Sequence, residues 1–380
     1  MIIHIVTDEK FINAAYSIYN RAFPQGNIFC IIRSFDLKVN HINLNDDFII
    51  LNRHGDYSEE IRNLIDGDSI IVFHGMSSEH AKISNSFCYN KQIWSVFGKE
   101  FYENPYIYKD VLLGPKTSQS IVGLKYSIKQ KLRKIYFRFF KNKTDHFKLI
   151  KTAFGNINSI AILYEEEFEI FKKTGVFSPN VSLIKFSYYP LDIVIGSEKR
   201  VQKYNNILIG NSATISNNHL EVLDILSKVN IGDSKIYIPL SYGDENYRKF
   251  ILDRIDRYDL RNVVSLTTFL DLKDYQDILK TCTIVIMNHF RQQAVGNVLN
   301  SMFLGAKVFL SNKNSLYHFL KRIGCIVYSI EDDISIGDDF ITPLTEEDCN
   351  INRSILEQKL SQFTLNTELI EGIKRLSNVK

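Results

Sequence analysis

The chain has 380 residues, of which 45% are apolar and 23% charged, and its formal net charge is +3. That length favours two cores over one, and that balance is ordinary for a globular protein. No stretch of about 18 apolar residues occurs, so a transmembrane helix is not expected.

The first residues, "MIIHIVTDEKF", carry an acidic pair and no basic leader, so they read as a first strand rather than a signal peptide. The five cysteines (Cys30, Cys88, Cys282, Cys325 and Cys349) are scattered and never form a CxxC pair. This points to a reducing compartment and away from disulfides or a thiolate zinc site. The nine histidines form no HExxH. No metal and no cofactor is expected.

Short apolar runs then follow in order: 2–7, 27–33, 48–52, 69–75, 92–98, 159–165 and 182–188. They do not alternate polar with apolar, as suits strands buried on both faces of a parallel sheet. Helix-compatible segments such as "DEKFINAAYSIYNRAF" separate many of them. At the strand ends, Asp8 follows the first run, and "VFHGMSS" puts His74 and Gly75 after another. "WSVFGKEFYE" puts Gly98, Lys99 and Glu100 after a third. An imidazole or carboxylate there can act as general base toward an acceptor hydroxyl. A structural histidine and a helix-start acid explain His74 and Glu100 as well, helix capping explains Asp8, and Trp94 reads as core.

Residues 125–151 hold ten Lys/Arg and one acid, Asp145. At 100° per residue, Ile128, Leu132, Ile135, Tyr136 and Phe139 form one stripe, with Lys131, Arg133, Lys134, Arg138 and Lys141 beside or opposite it. The segment 125–143 is an amphipathic basic helix of the kind that meets an anionic membrane surface. An ordinary surface helix fits the same pattern. No nucleic-acid-binding motif accompanies it, so nucleic acid is not an expected partner.

The stretch 191–206 reads as a connector between a domain at 1–190 and one at 207–380, with the last helix free to pack back on the first. Strand-like runs resume at 206–210, 235–240, 262–266, 283–288, 307–311 and 325–330, with helices over 218–228, 244–256, 271–281 and 294–304. The predicted class is α/β, with two Rossmann-like, doubly wound parallel sheets facing a central cleft.

Ligands of such sheets sit beyond the carboxyl ends of the strands. After 206–210 comes "GNSATISNNH". Gly210 permits a tight turn, Asn211, Ser212 and Ser216 can donate hydrogen bonds, and a helix starting near Asn217 offers free amides to a phosphate. Plain capping by Ser216 or Asn217 is the competing explanation. After 283–288 comes "NHFRQQAVGN", where Arg291 offers a planar fork of donors, Gln292 and Gln293 neutral ones, and Gly296-Asn297 a close-packed helix start. Tyr242 in "SYGDENY" can stack on a base, and Phe269 occupies the corresponding loop after 262–266.

Together "ILIGNSATISNNHLEVLDIL", "IPLSYGDENYRKFI", "HFRQQAVGN", "GAKVFLSNKNSLY", "FHG" and "WSVFGKEFYE" resemble glycosyltransferase family 56, the dTDP-Fuc4NAc:lipid II transferases of enterobacterial common antigen synthesis. The likeness runs in the same order over most of the chain and is densest at 206–226 and 289–312. It implies a GT-B fold with the nucleotide-sugar donor on the C-terminal domain and the acceptor on the N-terminal one. It further implies that Gly210, Asn211, Ser212, Asn217, Asn218 and His219 line the donor site, joined by Arg291, Gln292, Gln293 and Gly296. Where the family pattern reads WG.DLYE, this chain has Phe97-Gly98-Lys99-Glu100-Phe101-Tyr102-Glu103. An O-antigen or capsule pathway therefore fits as well as the common antigen. The expected partners are a nucleotide sugar, a lipid-linked saccharide acceptor and an anionic membrane surface. The expected place is the cytoplasmic side of a bacterial inner membrane, held peripherally. A nucleotide-sugar epimerase and a non-enzymatic membrane adaptor are the competing functions.

Overall fold

The computed structural model describes residues 1–34, 38–121, 146–195, 205–258, 260–334 and 340–378. The basic residues Lys131, Arg133, Lys134, Arg138 and Lys141 lie outside these, as does most of the connector 191–206. The described residues group into two units. One holds 1–109, 146–190 and 361–378, and the other holds 110–121, 191–195 and the described residues from 205 to 360. Each unit is therefore assembled from separate stretches of chain rather than divided at a single connector.

The first unit is built on a seven-stranded sheet of order β3-β2-β1-β4-β5-β6-β7. Its strands are β1 (Ile2–Val6), β2 (Asn27–Arg33), β3 (Phe48–Asn52), β4 (Ile70–His74), β5 (Lys91–Ser95), β6 (Ser159–Ile162) and β7 (Ser182–Lys185). Every pairing is parallel, with Ile3 opposite both Ile28 and Ile71. All residues of β1 and β4 are buried, which explains their unbroken apolar sequence. Each strand matches a run read from the sequence.

The helix Ile12–Ala22 buries Ile12, Ala15, Ile18 and Tyr19. The last helix, Gln362–Asn378, buries Leu365, Leu369, Ile373 and Leu376, a 3.6-residue stripe. Leu369, Ile373 and Leu376 join Val6, Ile93 and Ile184 in one core cluster. A salt bridge of 2.8 Å between Lys185 and Glu368 flanks it.

The second unit carries a six-stranded sheet, also parallel, of order β10-β9-β8-β11-β12-β13. The strands are β8 (Asn206–Ile209), β9 (Ile236–Pro239), β10 (Val263–Leu266), β11 (Cys282–Met287), β12 (Lys307–Leu310) and β13 (Tyr328–Ser329). In order of appearance this is 3-2-1-4-5-6, the doubly wound arrangement whose direction reverses between the first and fourth strands. The reversal falls between β8 and β11. The expected helices are present as His219–Leu226, Glu245–Ile255, Leu272–Thr281 and Val295–Phe303. Among the described residues no helix is long and apolar enough to cross a membrane.

The single tryptophan, Trp94, is fully buried in the first unit and reports on its packing. Replacing Leu369 with Ala leaves a cavity beneath the last helix and should cost about 2–5 kcal/mol. Urea denaturation followed by Trp94 fluorescence checks this; an unchanged midpoint would mean that the helix does not support this core.

Candidate active site

In the second unit the loop after β8 turns at Gly210, whose φ is +64°. A side chain there would place its Cβ 2.6 Å from Asn217 Oδ1 and 2.9 Å from His219 Nε2. Only glycine fits, because both the backbone conformation and the space exclude any other residue.

Asn217 is fully buried and closes the loop. Its Oδ1 accepts from the Asn211 amide at 2.9 Å and from His289 Nε2 at 2.9 Å. Its Nδ2 donates to Ser212 Oγ and to the Thr214 carbonyl. Because His289 must donate from Nε2, the neutral ring carries its lone pair on Nδ1. Asn211 extends the network: Nδ2 donates to the Tyr242 hydroxyl at 2.8 Å, and Oδ1 accepts from Gln293 Nε2 at 3.2 Å. Gln293 Oε1 accepts in turn from Ser216 Oγ at 2.7 Å. The loops after β8 and β9 are also stitched by backbone bonds, Ala213 to Tyr242 and Asp244 to Ala213, both 2.8 Å.

The structure thus brings together Gly210, Asn211, Ser212, Asn217, Tyr242 and Gln293 at the carboxyl ends of β8, β9 and β11, on both sides of the topological reversal. Asn218 and His219 also lie there, but their side chains point into the protein. Asn218, at φ +49°, donates to the Asn288 and Leu112 carbonyls and accepts from the Gly114 amide. It fastens the strap 112–117, whose Thr117 also bonds both oxygens of Glu221. His219 Nδ1 faces the Tyr247 hydroxyl at 3.1 Å. The helix after this loop starts at His219, one residue inside the 218–228 read from the sequence, and Ile215–Asn217 form a 3-10 turn before it.

Arg291 is partly exposed, and its Nη1 donates to the neighbouring Gln292 carbonyl at 3.0 Å. Gln292 and Gly296 are partly exposed beside it, and Asn297 reaches the Tyr275 hydroxyl at 3.4 Å. Tyr242 is 50% exposed and Phe269 82% exposed. The hydroxyl of Tyr242 is held by Asn211, whereas Phe269 stands out from its loop, so Tyr242 is the ring presented in a fixed pose. His289 is a network member that the sequence reading did not assign to the ligand site, and Ser216, read there as a donor or a cap, is bonded to Gln293. The polar pair Asn288-His289 directly after a wholly buried strand was the available signal.

In the first unit His74 is fully buried, with both ring nitrogens engaged. Asn27 spends its Nδ2 on the Tyr19 and Phe23 carbonyls and on Asn20, so its Oδ1 accepts from His4 Nε2 at 3.1 Å. His4 Nδ1 is then the acceptor for His74 Nε2 at 3.0 Å. His74 Nδ1 in turn accepts from the Tyr188 hydroxyl at 2.8 Å. Burial, followed by the neighbouring His4 and His80, holds the basicity of His74 well below the ordinary imidazole value. Glu100 is partly exposed, and its Oε1 accepts from Trp94 Nε1 at 3.0 Å and from the Phe97 amide at 3.1 Å. Burial raises its carboxyl above the usual range. Asp8 accepts from the amides of Asn40 and His41 and holds that turn rather than capping a helix. Trp94 is core, packed on Phe154 and Phe177. Among the described residues no three His, Cys, Asp or Glu side chains gather to hold a metal ion.

Burial lowers His219 to about 3, against 6.5 in the unfolded chain. Between those values the unfolded state binds a proton that the folded state refuses, so stability is full above about pH 6.5 and falls as the pH drops. The slope contributed by this residue is about 1.4 kcal/mol per pH unit. Urea titrations at pH 7 and pH 5 should show a smaller acid loss in His219→Gln than in wild type. An equal loss would mean that His219 titrates normally in the fold.

Residues 184–347 match the model of the 4-alpha-L-fucosyltransferase family, glycosyl transferase group 56. The matched segment contains all of β8–β13 and the side chains joined through Asn211 and Asn217. Among solved structures, the chain is similar to sucrose-phosphate synthase from Thermosynechococcus elongatus, with a TM-score of 0.66 at 9% identity over 99% of this chain and 98% of that one. It is also similar to HepE from Anabaena in complex with UDP and glucose (TM-score 0.63, 11% identity, 98% and 99% covered). A glycosyltransferase from Rickettsia africae gives 0.60 at 10% identity, with 100% and 99% covered. At such identities these likenesses establish the fold, which is that of GT-B glycosyltransferases. With the group 56 segment on the second of its two parallel-sheet units, the chain is a glycosyltransferase of the GT-B type.

Proposed function

We propose that the enzyme moves a deoxyamino sugar such as Fuc4NAc from a dTDP-linked donor to a polyprenyl-diphosphate-linked saccharide. The product would serve a bacterial surface polysaccharide (common antigen, O-antigen or capsule), made at the cytoplasmic face of the inner membrane with the enzyme held there peripherally. The observation that carries the reading is the convergence of Asn211, Ser212, Tyr242, Gln293 and the Arg291 loop past β8, β9 and β11, inside the group 56 segment.

The chemistry follows from where charge develops. The bond from the anomeric carbon to the phosphate oxygen breaks, and its electron pair stays on the departing nucleoside diphosphate. A fixed guanidinium and nearby hydroxyl and amide donors stabilise that charge, and they cost little reorganisation because the loop is already bonded in place. Arg291 takes this role, with Ser212 beside it, and no step requires a metal ion. Tyr242 stacks on the base, its ring fixed through Asn211. The acceptor hydroxyl bonds to the anomeric carbon, and its proton passes to a base. Glu100 suits that part, because a carboxyl raised by burial holds a proton more readily near neutral pH. His74, neutral and bonded on both nitrogens, supports Tyr188 instead.

Thermal denaturation with dTDP, UDP, GDP and CMP tests the donor half. A nucleotide that binds only the folded chain adds about 2.7 kcal/mol at a hundredfold excess over its Kd. dTDP should give the largest shift in wild type and a smaller one in Arg291→Ala, whose turnover should fall by about 10²–10³. No shift with any nucleotide would overturn the reading. Nucleotide-sugar turnover without a lipid acceptor would turn it toward an epimerase.

A further inference from the structure

Four aromatic rings gather past the carboxyl ends of the first unit's sheet. Phe11 follows β1, Phe97 follows β5, and Tyr188 and Tyr189 follow β7. Phe11 lies 5.4 Å from Phe97, 5.8 Å from Tyr188 and 5.7 Å from Tyr189, and Phe97 lies 5.5 Å from Tyr188. All are only partly buried, unlike the rings of the core beneath them.

The cluster is fixed from below. Phe97 lies on the bare backbone of Gly75, at φ +75°, where a Cβ would come 2.6 Å from the ring. Tyr188 spends its hydroxyl on His74, which is held by His4, which is held by Asn27. With the hydroxyl used inward, Tyr188 contributes an apolar ring to the cluster and no further donor. A buried polar relay that ends in a partly exposed ring fixes that ring in place, and it adds no bond of its own to a ligand.

We propose that Phe11, Phe97, Tyr188 and Tyr189 form a stacking platform for a pyranose of the acceptor saccharide. This rests on the reading that the acceptor is a lipid-linked saccharide. The site lies where parallel α/β sheets bind ligands. The apolar C–H face of a sugar ring suits a fixed aromatic surface, and the four rings stand at 43–79° to one another, so each offers its own face or edge. A polyprenyl tail would need a long continuous apolar channel. Here the patch is bordered by the exposed Lys10, whose ammonium lies 5.8 Å from the Phe11 ring, and by Ser187, whose hydroxyl accepts from the Tyr189 amide. A cation at that edge also suits the diphosphate to which the saccharide is attached.

The test uses the full chain and two probes, farnesyl diphosphate and farnesyl diphosphate bearing one N-acetylglucosamine. Saturation transfer from aromatic protons should reach the pyranose C–H protons of the second probe, and titration should show it binding more tightly than the first. Phe11→Ala and Tyr189→Ala should each weaken that binding roughly tenfold, while Phe11→Tyr and Tyr189→Phe preserve it. All four variants should keep the wild-type nucleotide shift, since the platform belongs to the other unit. Equal binding of the sugar-free probe, unchanged binding in both alanine variants, or no saturation of pyranose protons would overturn the platform. A missing nucleotide shift in wild type would instead overturn the donor reading.

Discussion

The buried amide of Asn217 is the constraint on which the second unit's loops after β8 and β11 depend. Its oxygen joins the turn after β8 to the histidine after β11, and its nitrogen ties back Ser212 and Thr214. Gly210 can only be glycine because that oxygen sits where a side chain would begin. Asn211 can hold Tyr242 and Gln293 at once because its own backbone is fixed by Asn217. A buried amide with all its polar atoms used is expensive to disturb, since each former partner would be left unsatisfied.

The first unit solves the same problem with imidazoles. The relay from Asn27 through His4 and His74 to Tyr188 runs from the amino end of β2, through the middle of β1, to the carboxyl end of the sheet. Burial lowers His4 to about 3 and His74 well below its ordinary value, so both rings stay neutral and each passes a defined donor to the next. A protonated ring would reverse one bond and break the direction of the chain. The relay and the asparagine network thus share a design, in which neutral, fully buried groups fix the side chains that reach the surface.

The thirteen strands among the described residues were legible because a parallel sheet covered on both faces writes itself as unbroken apolar runs. Four helices of the second unit, those that follow β8, β9, β10 and β11, were legible from their spacing, and the polar loop residues that converge there from their position after strands. What was hidden is direction. Asn217, Asn218 and His219 were chosen as residue types that bind phosphate, and the sequence holds no sign that their side chains turn inward. His74 was visible as a histidine at a strand end, but its partners stand 70 and 114 residues away. The grouping of 110–121 with the second unit was equally hidden, because it rests on Asn218 and Glu221 reaching a strap about a hundred residues earlier in the chain.

These features give the second unit's loops a particular electrostatic character. Asn211, Ser212, Asn217 and Gln293 are neutral, and His219 and His289 are held neutral by burial. The Arg291 guanidinium further lowers His289, so the two side chains do not share positive charge. The network therefore supplies shape and dipoles, and the formal charge enters with Arg291. A site organised in this way gains most when negative charge grows on a group already seated in it. The departure of a nucleoside diphosphate is such an event. An adaptor that only held a nucleotide would gain as much from lysines spread over the rim. Fixing the loop through a buried asparagine has a purpose when the placement of the charge matters as well as its sign.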